Sequence, residues 1–236
     1  MMVEKIDDVL TYISIGKFDI RIQKNPNVWI PTEYAKHFLT ILHDNNLKGI
    51  HVCDVGTGSG VLGILAALMG AEVVALDLNP DAICQAQINA AMNNVQMTCL
   101  LSDVFSALSI KKGRQFDIII CNPPTLPGTT SQTRENAAQW NENGNGRTVL
   151  DMVLMNGCSF LSPGGKIIAS SSSEQGWERT KALLKQYDTW RILKTITLQM
   201  DCLYEQFCQK WYKDGIIKRE NGHFVHDIYF FEAVNC

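Results

Sequence analysis

The chain has 236 residues, 46% of them hydrophobic, with a formal net charge of −3 and a pI near 5.9. That length and apolar content suit one α/β domain with extensions rather than two domains, and the mild acidity argues against the broad basic face that phosphate backbones require. Residues Met1 to Lys5 lack a basic stretch leading into an apolar signal core, and the longest apolar run, around Val61 to Met69, is far too short to span a bilayer. The expectation is a soluble, cytoplasmic protein with no membrane partner, in agreement with cysteines such as Cys53, Cys99 and Cys121 that fall on core strands as small hydrophobes.

In chain order, residues 1–45 read as an N-terminal extension ending in a helix from Tyr34 to His43, for which Thr32 is a candidate N-cap. Residues 46–199 alternate strand and helix. Ile50 to Val55 is a buried strand, a glycine turn follows, and Val61 to Met69 is the helix leaving that turn, closed by Gly70. Glu72 to Asp77 is the next strand, Pro80 to Asn93 a helix, and Thr98 begins a third strand that runs towards Asp103. Phe116 to Cys121 is a fourth, followed by a long polar loop, Gly128 to Gly146, of a length that commonly serves as a lid or recognition element. A helix from Thr148 to Phe160, a strand from Lys166 to Ser170, a helix from Gln175 to Tyr187 and a strand from Trp190 to Leu198 complete the alternation. Residues 200–226 form an aromatic-rich insertion before the last strand, which occupies 227–236 with its core from Asp227 to Ala233. The insertion either recognises an acceptor or caps the core. The pattern predicts an α/β fold with a doubly wound, mostly parallel sheet and helices on both faces.

Two segments carry chemistry. Asp54-Val55-Gly56-Thr57-Gly58-Ser59-Gly60 joins strand to helix, and its glycines allow a sharp turn and close approach of a ligand to peptide N–H groups. Asp77 ends the next strand nineteen residues beyond Gly58, where a ribose-binding carboxylate is expected. The spacing is G-x-G-x-G, with Val61 where a dinucleotide fingerprint needs glycine, so the loop favours a nucleoside ligand without pyrophosphate. The second segment, Asn122-Pro123-Pro124-Thr125, sits at the carboxyl end of its strand, the edge where open α/β sheets bind ligands, so both segments are expected to face one crevice. Two prolines hold the chain extended and remove N–H donors, leaving the Asn122 amide and nearby carbonyls for a substrate NH₂.

The first segment resembles motif I of the class I S-adenosylmethionine-dependent methyltransferases, and the second resembles the N-P-P-aromatic motif of methyltransferases that act on planar nitrogens. With Gly144 to Asp151 and Phe160 to Lys166, the likeness is to the HemK/PrmC-like protein-glutamine N5-methyltransferases. The resemblance implies a Rossmann-like seven-stranded sheet and S-adenosylmethionine as cofactor, leaving as S-adenosylhomocysteine. It also implies a cofactor site of Thr32, Asp54, Gly56, Thr57, Gly58, Gly60, Asp77, Leu78, Asp103, Val104 and Asn122, and an acceptor site of Asn122, Pro123, Pro124 and Thr125. Asp77 is then expected on the ribose, and Asp103 with the peptide N–H after it on the adenine. Thr125 departs from the family, since an aromatic there would stack on a flat acceptor. Trp140, in the following loop, is a candidate substitute platform or a cover for local apolar surface.

The implied acceptor is a protein glutamine amide, with an RNA or DNA exocyclic amine as alternative and protein favoured over nucleic acid as partner. A non-catalytic S-adenosylmethionine-binding subunit and an NAD-dependent oxidoreductase are the competing readings from other classes. Cys202, Cys208, His223 and His226 lack a tight C-x-x-C knuckle, and no metal site is expected.

Overall fold

A computed structural model describes residues 10–31, 33–108, 116–127, 140–141, 146–200 and 205–235, with backbone alone at 33, 126, 127, 140, 141, 205 and 206. Thr32 and Cys202 lie outside these residues, as does most of the 128–146 loop. Contacts divide the chain into two compact units, with the boundary after Ala107.

The first unit opens with an antiparallel hairpin, β1 (Leu10–Ile15) and β2 (Phe18–Gln23), turned through Gly16. Ile13, Ile20 and Ile22 are buried with polar neighbours between them, the period-2 pattern of a half-covered strand. Then come α1 (Glu33–His43), β3 (His51–Val55), α2 (Val61–Leu68), β4 (Glu72–Asp77), α3 (Pro80–Met92) and β5 (Thr98–Leu101). Strands β3, β4 and β5 pair in parallel. Val52, Cys53, Val55, Val73, Ala75 and Leu76 are all buried, as expected where helices cover both faces of a parallel sheet.

Helix α3 starts at a side-chain cap, Asn79 accepting from the Asp81 N–H, with Pro80 in its first turn. It carries a buried polar stripe one turn apart, Gln85, Asn89 and Asn93. Asn93 Oδ1 accepts from the Arg21 N–H at 2.9 Å while its Nδ2 donates to the Arg21 carbonyl at 2.7 Å, and Asn89 Oδ1 accepts from the Gln23 N–H at 2.8 Å. Side-chain amides thus supply the partners that a neighbouring strand would give the buried edge of β2.

The second unit contains β6 (Phe116–Cys121), the two-residue parallel pair β7 (Leu126–Pro127) and β8 (Trp140–Asn141), and α4 (Thr148–Asn156), which tightens into a 3₁₀ turn over Gly157–Phe160. It continues with β9 (Leu161–Ser172), a 3₁₀ turn Ser173–Gln175, α5 (Trp177–Leu184), β10 (Thr189–Gln199), α6 (Glu205–Lys213), β11 (Lys218–Glu220) and β12 (His223–Val234). β6 and β9 run parallel, while β12 pairs antiparallel with β9, β10 and β11.

Several boundaries differ from the sequence reading. Gly176, at φ 80 and ψ 90, separates the 3₁₀ turn from α5, so the helix expected from Gln175 starts at Trp177. Strand β9 is longer than expected at both ends. The last strand starts at His223 instead of Asp227, because Asn221 and Gly222, both at positive φ (49 and 84), turn β11 back onto it. Asn-Gly at positive φ matches the twist of paired strands and is a strong local hairpin signal. Residues 200–226 therefore hold a helix and a hairpin, and Met200, Cys208, Trp211 and Ile217 bury one another with Phe207 and Phe224 against them.

Gly222→Ala places a side chain at left-handed φ and should lower stability by about 1 kcal/mol in urea unfolding. An unchanged midpoint would contradict the hairpin geometry.

Candidate active site

The glycine turn is built from its own backbone. The N–H groups of Gly56 and Thr57 both donate to the Leu76 carbonyl, at 2.8 and 3.0 Å, and Gly60 N–H donates to the Thr57 carbonyl at 2.9 Å, which folds the turn back onto the end of β4. Beneath it lies Asp54, 1% exposed. Its Oδ2 accepts from the Thr57 hydroxyl at 2.6 Å and from the Gly63 N–H at 3.0 Å, tying β3 to the turn and to the first residues of α2. Burial pushes the Asp54 carboxyl up to about 6, against the hydrogen bonds that favour its ionised form. Asp54 and Thr57 were both expected at the cofactor, and their side chains are engaged with each other under the turn.

Asp77, at the end of β4, spans the top. One carboxylate oxygen accepts from the Gly58 N–H at 2.8 Å and the other from the Asn79 N–H at 2.9 Å. With about four acceptor sites, the carboxylate is not filled by these bonds and can also accept from a ribose hydroxyl. A Cβ built on Gly56 or Gly58 would meet nothing within 4 Å, so there is open space above the loop for a ligand to lie against its backbone. Leu78, 68% exposed, offers an apolar surface beside the acid. The turn after β5 is held next to Asp77 by the Ser102 N–H donating to the Asp77 carbonyl at 2.8 Å. There Asp103 is exposed, and Val104 sits at φ 47, a conformation that a β-branched residue adopts only under constraint. The constraint is visible: the Ser102 hydroxyl donates to the Val104 carbonyl at 2.8 Å and accepts from the Ala107 N–H, while the Asp103 N–H donates to the Ser106 hydroxyl. Strain of this kind concentrates at binding sites. A carboxylate at the strand end, an open glycine cradle and a pinned acidic turn fit an adenosine-containing cofactor.

In the second unit, Pro123 is buried and Asn122, Pro124 and Thr125 are half-buried. Asn122 Oδ1 accepts from the hydroxyl of the fully buried Ser170 at 2.9 Å. The Pro124 carbonyl accepts from Gln175 Nε2 at 3.1 Å, and the same nitrogen donates to the Gly146 carbonyl. Gln175 Oε1 accepts from the Ser172 N–H at 3.0 Å. Arg147, 2% exposed, grips Asp151 through Nε and Nη2 and donates from Nη1 to the Gln175 and Gly176 carbonyls and the Thr180 hydroxyl. The sequence alone gives Arg147 no part beyond the Gly144 to Asp151 match and Gln175 none beyond a helix start; the one local signal for Gln175 is the S-x-x-Q spacing from Ser172. The backbone of Trp140 pairs beside Leu126, the residue after Thr125.

Next to Gln175, the buried Glu174 meets His226 Nδ1 at 2.8 Å. Burial works against the His226 charge, but the Glu174 carboxylate outweighs it and raises the imidazole above its ordinary range. His226 is thus engaged with Glu174, and Cys208 packs against Met200. Among the described residues no three His, Cys, Asp or Glu side chains are grouped to hold a metal, and no helix is long and apolar enough to cross a membrane.

The raised Asp54 carboxyl sets a direction for stability. A carboxyl that binds its proton more tightly folded than unfolded contributes stability at low pH that is lost as pH rises, here between about 4 and about 6. Asp54→Asn should remove that slope. Urea titrations of wild type and variant across pH 4–8 should give a stability difference that moves in the variant's favour up to about pH 6 and then levels; a constant difference would contradict it.

Residues 34–123 match the family of ribosomal protein L11 methyltransferases (PrmA). The chain is 32% identical over 169 residues to a Methanocaldococcus jannaschii protein provisionally named a protein N5-glutamine methyltransferase, covering 70% of this chain and 83% of that one. It is also 32% identical over 148 residues to the release factor glutamine methyltransferase of Salmonella typhimurium, covering 58% of this chain and 50% of that protein. The chain thus spans about half the length of that enzyme. Among solved structures, a Thermus thermophilus 16S rRNA N2 methyltransferase in complex with AdoMet and guanosine superposes with a TM-score of 0.66 at 20% identity, covering 96% of this chain and 50% of that one, which shows the Rossmann-like methyltransferase fold. At the identity and coverage of the Methanocaldococcus jannaschii relative, the chain belongs to the class I S-adenosylmethionine-dependent methyltransferases, in the HemK/PrmC-like protein N5-glutamine methyltransferase family.

Proposed function

We propose that the chain methylates the side-chain amide nitrogen of a glutamine in a protein, acting in the cytoplasm as one methyltransferase domain whose cofactor core is 46–199. The observation that carries this reading is the Asn122-Pro123-Pro124 turn in a chain that matches most of the length of a relative named for that activity. In this reading Asp77 takes the ribose hydroxyls, Leu78 flanks the nucleoside, Asp103 and the Val104 N–H take the adenine, and Gly56 to Gly60 run beneath the amino-acid part. The resemblance assigns Thr32 to the same cofactor. S-adenosylmethionine, when bound, supplies a sulfonium methyl that is open to in-line displacement.

The remaining chemistry belongs to the chain. A carboxamide nitrogen is a poor nucleophile because its lone pair is delocalised into the carbonyl. Two acceptors aimed at its two hydrogens turn that lone pair towards the methyl and stabilise positive charge as it develops. Asn122 Oδ1, which takes one hydrogen bond from Ser170 and has a second acceptor position, and the Pro123 carbonyl are those acceptors. The Pro124 carbonyl is occupied by Gln175 and holds the turn's shape. After transfer the nitrogen gives its extra proton to solvent. An RNA or DNA exocyclic amine presents the same pair of hydrogens and is the alternative acceptor.

The test is methyl transfer from radiolabelled S-adenosylmethionine into a cell extract. The expected label is protease-sensitive and nuclease-resistant, and complete enzymatic digestion returns it as N5-methylglutamine while acid hydrolysis releases it as methylamine; nuclease-released label supports the alternative, and no transfer at all supports a non-catalytic subunit. Asn122→Ala leaves the Asp77 and glycine-loop contacts in place, so it should lose about 10²-fold or more in turnover and far less in cofactor affinity. Near wild-type turnover would count against the Asn-Pro-Pro mechanism. Thr125→Tyr adds a stacking face worth ~0.5–1.5 kcal/mol to a flat acceptor and should leave activity intact or improved. If tyrosine abolishes turnover with cofactor affinity unchanged, the acceptor is not a flat amide over position 125.

A further inference from the structure

Helix α3 touches the glycine turn at two points one helical turn apart. At Gly60 the backbones are so close that a Cβ would come within 3.1 Å of the Ala86 Cα. At the next contact, Asn89, with no exposed surface, donates from Nδ2 to the Ser59 carbonyl at 2.8 Å. That carbonyl belongs to the peptide joining Ser59 to Gly60, so the bond fixes the plane of a peptide in the middle of the turn. On its other side Asn89 Oδ1 accepts from the Gln23 N–H at the end of β2 and from Gln85 Nε2 at 3.2 Å. One buried amide therefore bridges the N-terminal hairpin and the loop. Asn93, one turn further along α3, bonds both backbone groups of Arg21 and the Asn89 carbonyl, and makes no bond to the turn.

We propose that Asn89 is a positioning residue for the cofactor loop, and that the β1–β2 hairpin contributes to S-adenosylmethionine binding through it. This rests on the reading of the Gly56 to Gly60 loop as the cofactor site. The hairpin's hydrogen bond orients the Asn89 amide, and the amide holds the Ser59–Gly60 peptide in the conformation that leaves the loop open above Gly58. The pair Asn89 and Asn93 supplies its own control, because both support β2 and only one reaches the loop.

The experiment measures binding of S-adenosylhomocysteine to the full chain by calorimetry, with thermal midpoints recorded alongside. Asn89→Ala is expected to weaken binding about tenfold, the cost of one hydrogen bond to a buried carbonyl. Asn93→Ala is expected to lower the midpoint by a similar amount and leave affinity within about twofold. Gln23→Pro removes the N–H that orients Asn89 without touching the loop, and should weaken binding by a smaller factor than Asn89→Ala; it serves as the deciding variant if Asn89→Ala does not fold. Asp77→Ala separates the two failures. If Asp77→Ala leaves affinity unchanged, the loop is not the cofactor site. If Asp77→Ala weakens binding while Asn89→Ala and Gln23→Pro do not, or if Asn93→Ala weakens it as much as Asn89→Ala, the positioning role is overturned.

Discussion

The carboxylate of Asp54 is the constraint on which the cofactor side of this protein depends. It is a buried acid that accepts two hydrogen bonds on one oxygen, from the Thr57 hydroxyl and the Gly63 N–H, and so joins the end of β3, the crest of the turn and the start of α2. Burying an acid costs free energy, which is why its carboxyl is pushed up to about 6. An apolar residue of the same size would avoid that cost but would leave the Thr57 hydroxyl and the Gly63 N–H without this partner. The rest of the loop follows from the tie: with Thr57 held down, the Gly58 N–H points at Asp77 and space opens above the glycines. Glycine at 63 completes the fit, since a side chain there would meet Met97 Sδ at 2.9 Å and the Asp54 carboxylate at 3.1 Å.

The Asn-Pro-Pro turn is stabilised by the same means in different residues. Its shape comes from a buried amide, Gln175, which joins the Pro124 carbonyl, the Gly146 carbonyl and the Ser172 N–H, with Arg147 bonded to the backbone on either side of Gly176. Proline removes backbone donors from the turn, so the carbonyls that remain must be satisfied from elsewhere or left for a substrate. Gln175 takes one of them, and the proposed chemistry uses another. A buried Arg147–Asp151 pair, to which Arg179 adds a second cation, anchors this arrangement at the start of α4. Replacing Asp151 alone would leave the buried Arg147 charge without its carboxylate.

Much of this was legible in the sequence because the informative features are local. The glycine turn, Asp77 at the end of its strand and Asn122-Pro123-Pro124 are covalently contiguous patterns with one physical meaning each, and the alternation of apolar runs gave the α/β architecture. The supports were not legible, because each is a pairing of residues far apart in the chain: Asn89 with Gln23 and Ser59, Gln175 with Pro124, Glu174 with His226. Nothing in the neighbourhood of Asn89 distinguishes it from a solvated asparagine on a helix. Other omissions had local signals. Ile13, Gly16, Phe18, Ile20 and Ile22 carry the period of a hairpin inside what reads as an extension, and Asn221-Gly222 marks a turn inside what reads as an insertion. The aromatic residues of 200–226 suggested either recognition or covering of the core, and the described ones Phe207, Trp211 and Phe224 pack into a small core of that segment's own.

The loop's spacing and the placement of Asp77 together make one claim, that this turn accepts an adenosine attached to an amino acid and rejects a dinucleotide. Calorimetric titration of the wild-type protein with S-adenosylmethionine and, separately, with NAD tests it directly. The account predicts saturable one-to-one binding of S-adenosylmethionine and no measurable heat of binding with NAD at the same concentrations. Binding of NAD with equal or greater affinity would contradict it.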